Sequence, residues 1–189
     1  MPYAIKVNDD IKLIPLNSKK RQLFLMYHLL TKNKERLAPY FPGIYQKPLS
    51  IDEVKKLLIQ KEKAAQNHEI TSFAICSRRA KQIIGEIDIY HTLIDANLTY
   101  WIDKDFEGKG IISRSFDVLR EHLFTQNITA ISASCDRTND RSISFLENKG
   151  LKIVASYNNH YNHHFVDLMQ TKIEYLFYKR LNSSQLERG

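Results

Sequence analysis

The stretch Trp101–Phe116, WIDKDFEGKGIISRSF, reads as the end of a strand, a short loop with two glycines and the start of a helix. Gly108 and Gly110 flank Lys109 in the loop. Apolar side chains then recur at helical spacing, at Ile112, Phe116, Leu119 and Leu123. The first N–H groups of a helix are free and lie at the positive end of its dipole, and glycines let the backbone approach a ligand closely. The stretch therefore predicts a site for a phosphate or pyrophosphate.

The junction taken alone leaves two interpretations open, a phosphate site and a plain tight turn into an amphipathic helix. Neither familiar nucleotide fingerprint fits it, because a dinucleotide site has a third glycine where Ser113 stands and no segment matches a P-loop. A second motif lies downstream, from Asn139 to Leu151, and reads NDRSISFLENKGL. Its Asn is suited to cap a helix and its Gly to end one.

The two motifs, D-F-E-G-K-G-I and then, about thirty residues later, N-x-R-S-x-x-F-L-x-x-x-G-L, resemble those of the GNAT superfamily of acyl-CoA-dependent N-acyltransferases. Within that superfamily the likeness is closest to the branch that acetylates the N-terminal serine or alanine of ribosomal proteins. The segment Asn33–Pro42, N-K-E-R-L-A-P-Y-F-P, is similar to the part of that branch that ends in an aromatic–Pro pair. The resemblance covers nearly the whole chain.

The resemblance implies that acetyl-CoA is the acyl donor and that the central sheet is splayed to bind it. The strand Thr99–Asp103 would separate from its neighbour Ile128–Ser134 and bind the pantetheine arm, and the backbone of Gly108–Ser113 would bind the pyrophosphate. Asp105 departs from the family pattern, which often has Gln or Arg there. The cofactor-binding residues implied are Trp101, Ile102, Asp103, Phe106, Gly108, Lys109, Gly110, Ile111, Ile112, Ser113, Asn139, Ser142 and Phe145.

Ser142 is the candidate acid of the reaction. A serine at this place is proposed, in the ribosomal branch, to protonate the departing CoA thiolate. Many other members use a tyrosine one turn later, where this chain has Leu146. Two structural interpretations remain: Ser142 is a tolerated polar residue of the first helical turn, and Asn139 is only the helix cap.

Glu86 is the candidate base that removes a proton from the attacking amine. It shares one face of the predicted strand Gln82–His91 with Asp88, although paired carboxylates on a sheet are commonly solvated. Glu174 on the last strand and an ordered water are the alternatives. The histidines of the polar tip, His160, His163 and His164, lack a partner ligand at metal-binding spacing, so no metal is expected.

Composition excludes several classes of protein. The 189 residues carry a net charge of +7 and contain only two cysteines, Cys76 and Cys135, with no C-x-x-C pair. A disulfide framework, a zinc site and a membrane span are not indicated, and the absence of an apolar signal core favours a cytoplasmic protein. The positive charge suits CoA or a ribosomal RNA surface, or simply marks a basic protein. Direct reading of nucleic acid is not expected, and a monomer and a homodimer are both compatible with the sequence.

The predicted order of elements is strand, two helices, three strands, helix, strand, helix and two strands, which is that of the GNAT fold. This indicates a single α/β domain of the α+β type over residues 1–181, followed by a polar tail at 182–189. The expected sheet is mixed, mostly antiparallel, splayed in the middle and built of about seven strands, with about four flanking helices.

Two classes of function fit these observations. The first is an N-acetyltransferase that acts on a primary amine, either a protein N-terminus such as that of a ribosomal protein or a small molecule such as a polyamine or an antibiotic. The second is a non-catalytic module that binds acyl-CoA. Only the acid and base positions separate the two classes.

Overall fold

The computed structural model describes residues 3–45, 47–91, 95–126, 128–158 and 174–181. The helices are α1 (Lys20–Lys32), α2 (Lys34–Leu37), α3 (Pro42–Tyr45), α4 (Ile51–Gln66), α5 (Ile111–Thr125) and α6 (Asp140–Asn148), and a 3₁₀ turn spans Lys104–Phe106. The strands are β1 (Ile5–Lys6), β2 (Ile11–Pro15), β3 (Ile70–Ser77), β4 (Gln82–His91), β5 (Asp95–Ile102), β6 (Ala130–Asp136), β7 (Lys152–Asn158) and β8 (Glu174–Leu181).

The strands form one sheet, and its order in the described part of the chain is β1-β2-β3-β4-β5-β6-β8-β7. Every neighbouring pair is antiparallel except β5 and β6, which run parallel. The predicted mixed, mostly antiparallel α/β sheet is confirmed. The structure adds β1, whose two residues pair with Leu13 and Lys12 and are too short to leave a periodic pattern. The helix count also exceeds the prediction, because α2 and α3 are single turns in the Pro-rich break.

Side-chain caps fix where two of the helices begin. Ser50 Oγ accepts a hydrogen bond of 3.2 Å from the N–H of Glu53, and α4 begins at the residue after Ser50. Asn139 Oδ1 accepts one of 3.1 Å from the N–H of Ser142 and starts α6 in the same way. The cap interpretation of Asn139 is therefore correct, and it fixes the position of Ser142 in the first turn.

Two apolar cores cover the two faces of the sheet. We call the side packed against α5 and α6 the front face and the side packed against α1 and α4 the back face. The front core includes Phe73, Ile87, Leu98, Phe116, Leu119 and Leu146. The back core includes Leu23, Met26, Leu30, Val54, Leu58 and Trp101. Since side chains alternate along a strand, Tyr100 belongs to the front face and Trp101 to the back.

The sheet is open between β5 and β6. Strand β5 pairs with β4 from Ala96 to Ile102, but its pairing with β6 runs only from Asp95–Ala130 to Leu98–Ala133. Strand β6 continues beyond that point alongside β8 as far as Asp136. We call the gap between 99–102 of β5 and 134–136 of β6 the wedge. The predicted splay is therefore present, and it begins at Thr99.

The direction of the backbone groups along the wedge follows from one hydrogen bond. Asp103 N–H donates to the carbonyl of Ile84 in β4 at 2.7 Å. Because backbone groups of a strand point alternately to its two sides, those of Thr99 and Trp101 also face β4, and those of Tyr100 and Ile102 face the wedge. The wedge is thus lined by main-chain groups of alternate residues only.

Candidate active site

The loop that closes one end of the wedge has the backbone shape that the two glycines suggested. Gly108 and Gly110 have φ of +71° and +65°, and Gly110 is the left-handed N-cap of α5. The first helical hydrogen bond of α5 is that from Arg114 N–H to Gly110 O, at 3.1 Å. The preceding N–H groups, 111–113, lie at the positive end of the helix dipole, where an anion is stabilised.

A buried carboxylate ties this loop to the back of the molecule. Asp103 is 1 % exposed and accepts hydrogen bonds from Lys32 Nζ at 2.8 Å and from Asn33 Nδ2 at 3.3 Å. Lys32 also contacts Asp105 at 2.5 Å, and the two carboxylates, Asp103 first, raise the pKa of Lys32. Asp105, which departs from the family pattern, therefore faces α1, and its hydrogen bond with Lys32 lowers its pKa.

Arg36 of α2 reaches the rim of the wedge from the back face. Its guanidinium donates to Glu107 Oε1 at 2.9 Å and also donates to the carbonyl of Ile102, which faces the wedge. Glu107 is bonded in turn to Arg141 in the first turn of α6. Sequence reasoning missed Arg36, although it lies inside the segment 33–42 that carried the family resemblance.

Ser142 lies on the front side of the wedge, in contact with a tyrosine that the sequence did not single out. Its Oγ is 2.6 Å from the hydroxyl of Tyr100 in β5. The ring of Tyr100 packs edge-on against Phe145, with centroids 5.0 Å apart. Cys135 of β6 also shares a side-chain hydrogen bond with Ser142. Burial raises the pKa of this thiol to about 11, although the hydrogen bond acts to lower it. The hydroxyls of Tyr100 and Ser142 therefore meet at the front edge of the wedge, one from each of its sides.

Glu86 lies on the back face inside a buried charge cluster. Its Oε1 is 2.6 Å from Lys61 Nζ, and its Oε2 accepts a hydrogen bond of 3.0 Å from Trp101 Nε1. Asp88 Oδ2 contacts the same Lys61 Nζ at 2.5 Å, while Asp88 Oδ1 has no partner in the described part of the protein. The side chains of Lys61, Glu86 and Asp88 are 12 %, 4 % and 9 % exposed. The alternative interpretation, a solvated carboxylate pair, is wrong, because α4 covers the pair with a lysine.

Burial controls the protonation of this cluster. Burial and then Asp88 raise the pKa of Glu86, with Lys61 and Trp101 opposing them. Burial by itself would lower the pKa of Lys61, but the two carboxylates raise it above its ordinary value. Lys61 therefore stays charged, and Glu86 is a stronger base than an exposed glutamate.

The other predicted cofactor-binding residues differ in whether their backbone groups face the wedge. The backbone of Trp101 and the N–H of Asp103 are directed at β4, and the carbonyl of Asp103 accepts a hydrogen bond of 2.8 Å from Phe106 N–H, so these two residues do not present to the wedge the main-chain groups expected of them. Ile102 does face the wedge. Ile111 is buried, and Lys109 lies over the ring of Phe106 at 4.8 Å. Residues whose backbone borders the helix start are Gly108, Lys109, Gly110, Ile111, Ile112 and Ser113.

The described residues contain neither a metal-binding group nor a membrane-spanning helix. Among them no group of three or more His, Cys, Asp or Glu side chains could hold a metal ion. His160, His163 and His164 lie outside the described part of the chain, as does the tail 182–189, and the side chain of Glu174 is likewise not described. In the same described segments, no helix is both long and apolar enough to span a membrane.

Comparison with known proteins agrees with this architecture. A family model described as an acetyltransferase (GNAT) domain matches residues 11–152. No curated protein matches the chain in sequence. Among solved structures, an acetyltransferase from Salmonella typhimurium that modifies the N-terminal serine of ribosomal protein L7/L12 is 18 % identical, with a TM-score of 0.81 and coverage of 95 % of this chain and 99 % of the other.

Two further structures are similar over the same extent. The ribosomal-protein-S5-alanine acetyltransferase of Vibrio fischeri is 16 % identical, with a TM-score of 0.77 and coverage of 96 % of this chain and 98 % of that one. The microcin C7 self-immunity acetyltransferase MccE, solved with acetyl-CoA and AMP, is 20 % identical, with a TM-score of 0.80 and coverage of 96 % and 98 %. At these identities the likeness establishes the fold.

The start of α5 is tested by Gly110→Asp, which places a carboxylate beside the predicted pyrophosphate position. We expect CoA affinity to fall by at least about tenfold, because one charge-assisted hydrogen bond contributes about 1.5–3 kcal/mol. Titration calorimetry measures the affinity. Gly150→Asp is the matched control, since Gly150 also has a positive φ of +76° but lies after α6. Equal CoA affinity in folded Gly110→Asp and in the parent protein contradicts the site.

The buried charge cluster is tested by Lys61→Met, which keeps the length of the side chain and removes its charge. We expect the free energy of unfolding to fall by about 3–5 kcal/mol at neutral pH, because two carboxylates lose their buried partner. Urea denaturation measures it. Lys56→Met is the control, since its pair with Glu53 is on the surface, where Lys56 is 67 % exposed, and exposed pairs contribute little to stability. Similar losses in both variants would show that the cluster has no special role.

Proposed function

The chain belongs to the GNAT acetyltransferase family, and on that premise we propose that it acetylates the N-terminal amine of a protein, such as a ribosomal protein. As a member of the family it is an acetyltransferase that uses acetyl-CoA. The proposal concerns the acceptor and the residues that act on it. The loop at Gly108–Ser113 and the wedge-facing backbone of Ile102 are the proposed binding groups for the donor.

The proposal is supported mainly by the wedge, because a hydroxyl group lies on its front face and a carboxylate on its back face. On the front face, Ser142 lies beside the start of α6 with Tyr100 in contact. On the back face, Glu86 and Trp101 lie under α4. A thioester held between β5 and β6 would therefore have a proton donor on one side and a carboxylate on the other, which is what amide formation from an amine requires.

The choice of a protein N-terminus is supported by two structures of similar fold. The Salmonella and Vibrio enzymes are named for acetylating a ribosomal protein, at the N-terminal serine of L7/L12 and on S5. Both match this chain over nearly its full length. A net charge of +7 also favours an acceptor with acidic residues near its N-terminus.

A small-molecule acceptor is the second candidate. MccE has a similar TM-score and was solved with AMP as well as acetyl-CoA. The segment 159–173, which joins β7 to β8, lies outside the described residues.

The proposed reaction uses these side chains as base and acid. The amine loses a proton to Glu86, or to an ordered water, as its nitrogen attacks the acetyl carbon. The C–S bond then breaks and the thiolate takes a proton from Ser142. The dipole of α6 stabilises the developing negative charge next to Ser142.

The acceptor is identified by measuring CoA thiol release from acetyl-CoA with a panel of amines. The panel contains N-terminal peptides of ribosomal proteins, the same peptides with a blocked N-terminus, polyamines and aminoacyl nucleotides. We expect turnover with free N-terminal peptides and none with the blocked ones. Mass spectrometry of the products locates the added acetyl group. Turnover with polyamines or aminoacyl nucleotides alone would contradict the proposal and favour the second candidate.

Glu86→Gln tests the base without changing the shape of the cluster. We expect kcat to fall by about 10²–10⁴-fold, the usual range for one general base, because the amide cannot accept the amine proton. Asp88→Asn is the matched control, since Asp88 contacts the same Lys61 but not Trp101. If the two variants lose kcat equally, the carboxylates only support the fold and water is the base.

Ser142→Ala tests the acid. We expect kcat to fall by about 10²–10⁴-fold and the KM for acetyl-CoA to stay nearly unchanged. The helix cap survives this change, because Asn139 accepts its hydrogen bond from the backbone N–H of residue 142. Ser144→Ala is the control, since Ser144 is an exposed serine of the same helix. A kcat within a few-fold of the parent, under conditions where chemistry limits the rate, would show that Ser142 is a helix residue only.

A further inference from the structure

The hydroxyl of Tyr100 is the side-chain group placed to act on Ser142 from the opposite strand. The two oxygens are 2.6 Å apart and belong to β5 and α6, on either side of the front edge of the wedge. We propose that Tyr100 is a positioning residue that orients Ser142 and supplies it with a proton as Ser142 protonates the CoA thiolate. This inference rests on the proposed function, because it requires Ser142 to touch the departing sulfur.

A serine acting alone is a poor acid for this step. An alkoxide is about as basic as hydroxide, so a serine hydroxyl is a far weaker acid than a thiol, whose pKa is about 8.5. Proton transfer from an isolated serine to the thiolate is therefore strongly uphill. A phenol has a pKa of about 10, so a relay that leaves the charge on Tyr100 is uphill by only about 1.5 units. The tyrosine makes the serine a competent acid.

The hydrogen bonds around Ser142 fit this direction of transfer. A serine hydroxyl donates once and accepts twice. Tyr100 can donate to Ser142, because either oxygen of that pair can be the donor, and burial raises the pKa of the Cys135 thiol to about 11, so that it stays protonated. The bond from Ser142 acts to lower that pKa, so Ser142 donates toward the sulfur of Cys135. When Tyr100 donates to Ser142, the proton of Ser142 can turn from Cys135 to a sulfur in the wedge.

Packing holds the phenol in place. The ring of Tyr100 contacts Phe145 with centroids 5.0 Å apart, and Phe145 contacts the fully buried Phe116 at 5.7 Å. Leu146, at the place where a tyrosine often stands in this family, is also buried. A phenol therefore reaches the same serine from β5, held by aromatic contacts that restrict its rotation.

The relay balances in protons and electrons. The nitrogen lone pair forms the N–C bond, the C–S bond breaks, and its electron pair leaves with sulfur. Sulfur takes the proton of Ser142, and Ser142 takes that of Tyr100. The proton lost by the amine to Glu86 or water returns to the phenolate through solvent, so the products are an amide and free CoA thiol.

Tyr100→Phe removes the hydroxyl and keeps the ring contacts. With any primary amine that the enzyme acetylates, we expect kcat to fall by about tenfold or more and the KM for acetyl-CoA to stay nearly unchanged. Tyr27→Phe on α1 is the control for a tyrosine hydroxyl lost elsewhere. In the double variant with Ser142→Ala, loss of the second hydroxyl should have little further effect. Independent, multiplying losses would overturn the relay.

Replacing Tyr100 by a fluorinated tyrosine separates a relay from a packing role. The fluorinated phenol is more acidic and nearly the same size, so the alkaline limb of the kcat–pH profile should move to lower pH. An alkaline limb that does not move overturns the proposal. The acceptor plays no part in this comparison, so failure of the ribosomal acceptor and failure of the relay are distinguishable.

A measurement without turnover completes the test. NMR titration of ¹³C-labelled Tyr100 should give a different phenol pKa in the parent and in Ser142→Ala, both with CoA bound. An identical titration in the two proteins overturns the contact, even if no acceptor for the enzyme is found.

Discussion

The structure depends on the point at which β5 leaves β6. Strand β5 stays hydrogen-bonded to β4 through Ile102, while its pairing with β6 ends at Leu98. Backbone groups in the interior of a sheet are expensive to leave without partners, so a sheet that opens in its middle requires a polar ligand or water in the gap. The glycine loop, the start of α5 and the first turn of α6 all lie around this opening. The site is therefore mainly a property of the main chain, with few side chains added.

The opening is held in shape from the back face before any ligand binds. Asp103 is buried against Lys32 and Asn33, and Arg36 joins the carbonyl of Ile102 to Glu107. Beside them, Lys61 neutralises much of the charge of Glu86 and Asp88 under α4. A loop fixed in advance loses less conformational entropy on binding, which raises its affinity for the ligand. Charged and polar groups of α1, α2 and the residue between them thus hold one loop in place.

Local patterns predicted most of the fold and little of the side-chain chemistry. The cap at Asn139 and the helical spacing after Gly110 depend on neighbours in sequence, and the structure has both. The short strand β1 left no pattern. The contacts of Arg36 with Ile102, of Lys61 with Glu86 and of Tyr100 with Ser142 join residues 66, 25 and 42 positions apart. Such contacts are set by how helices pack on the sheet, which periodicity does not reveal. To predict which backbone groups of β5 face the wedge, one must likewise know the register of β5 with β4.

Amide hydrogen exchange along β5 tests the central claim most directly, because it reports on single N–H groups. In the protein without ligand, the amides of Trp101 and Asp103 should exchange slowly, since both face β4, and that of Ile102 should exchange faster. Saturating CoA should slow exchange at Ile102 and leave Trp101 and Asp103 unchanged, and the amides at the start of α5 should become protected together with Ile102. If CoA binds and the exchange of Ile102 and of residues 111–113 does not change, the cofactor lies elsewhere and the wedge is not its site.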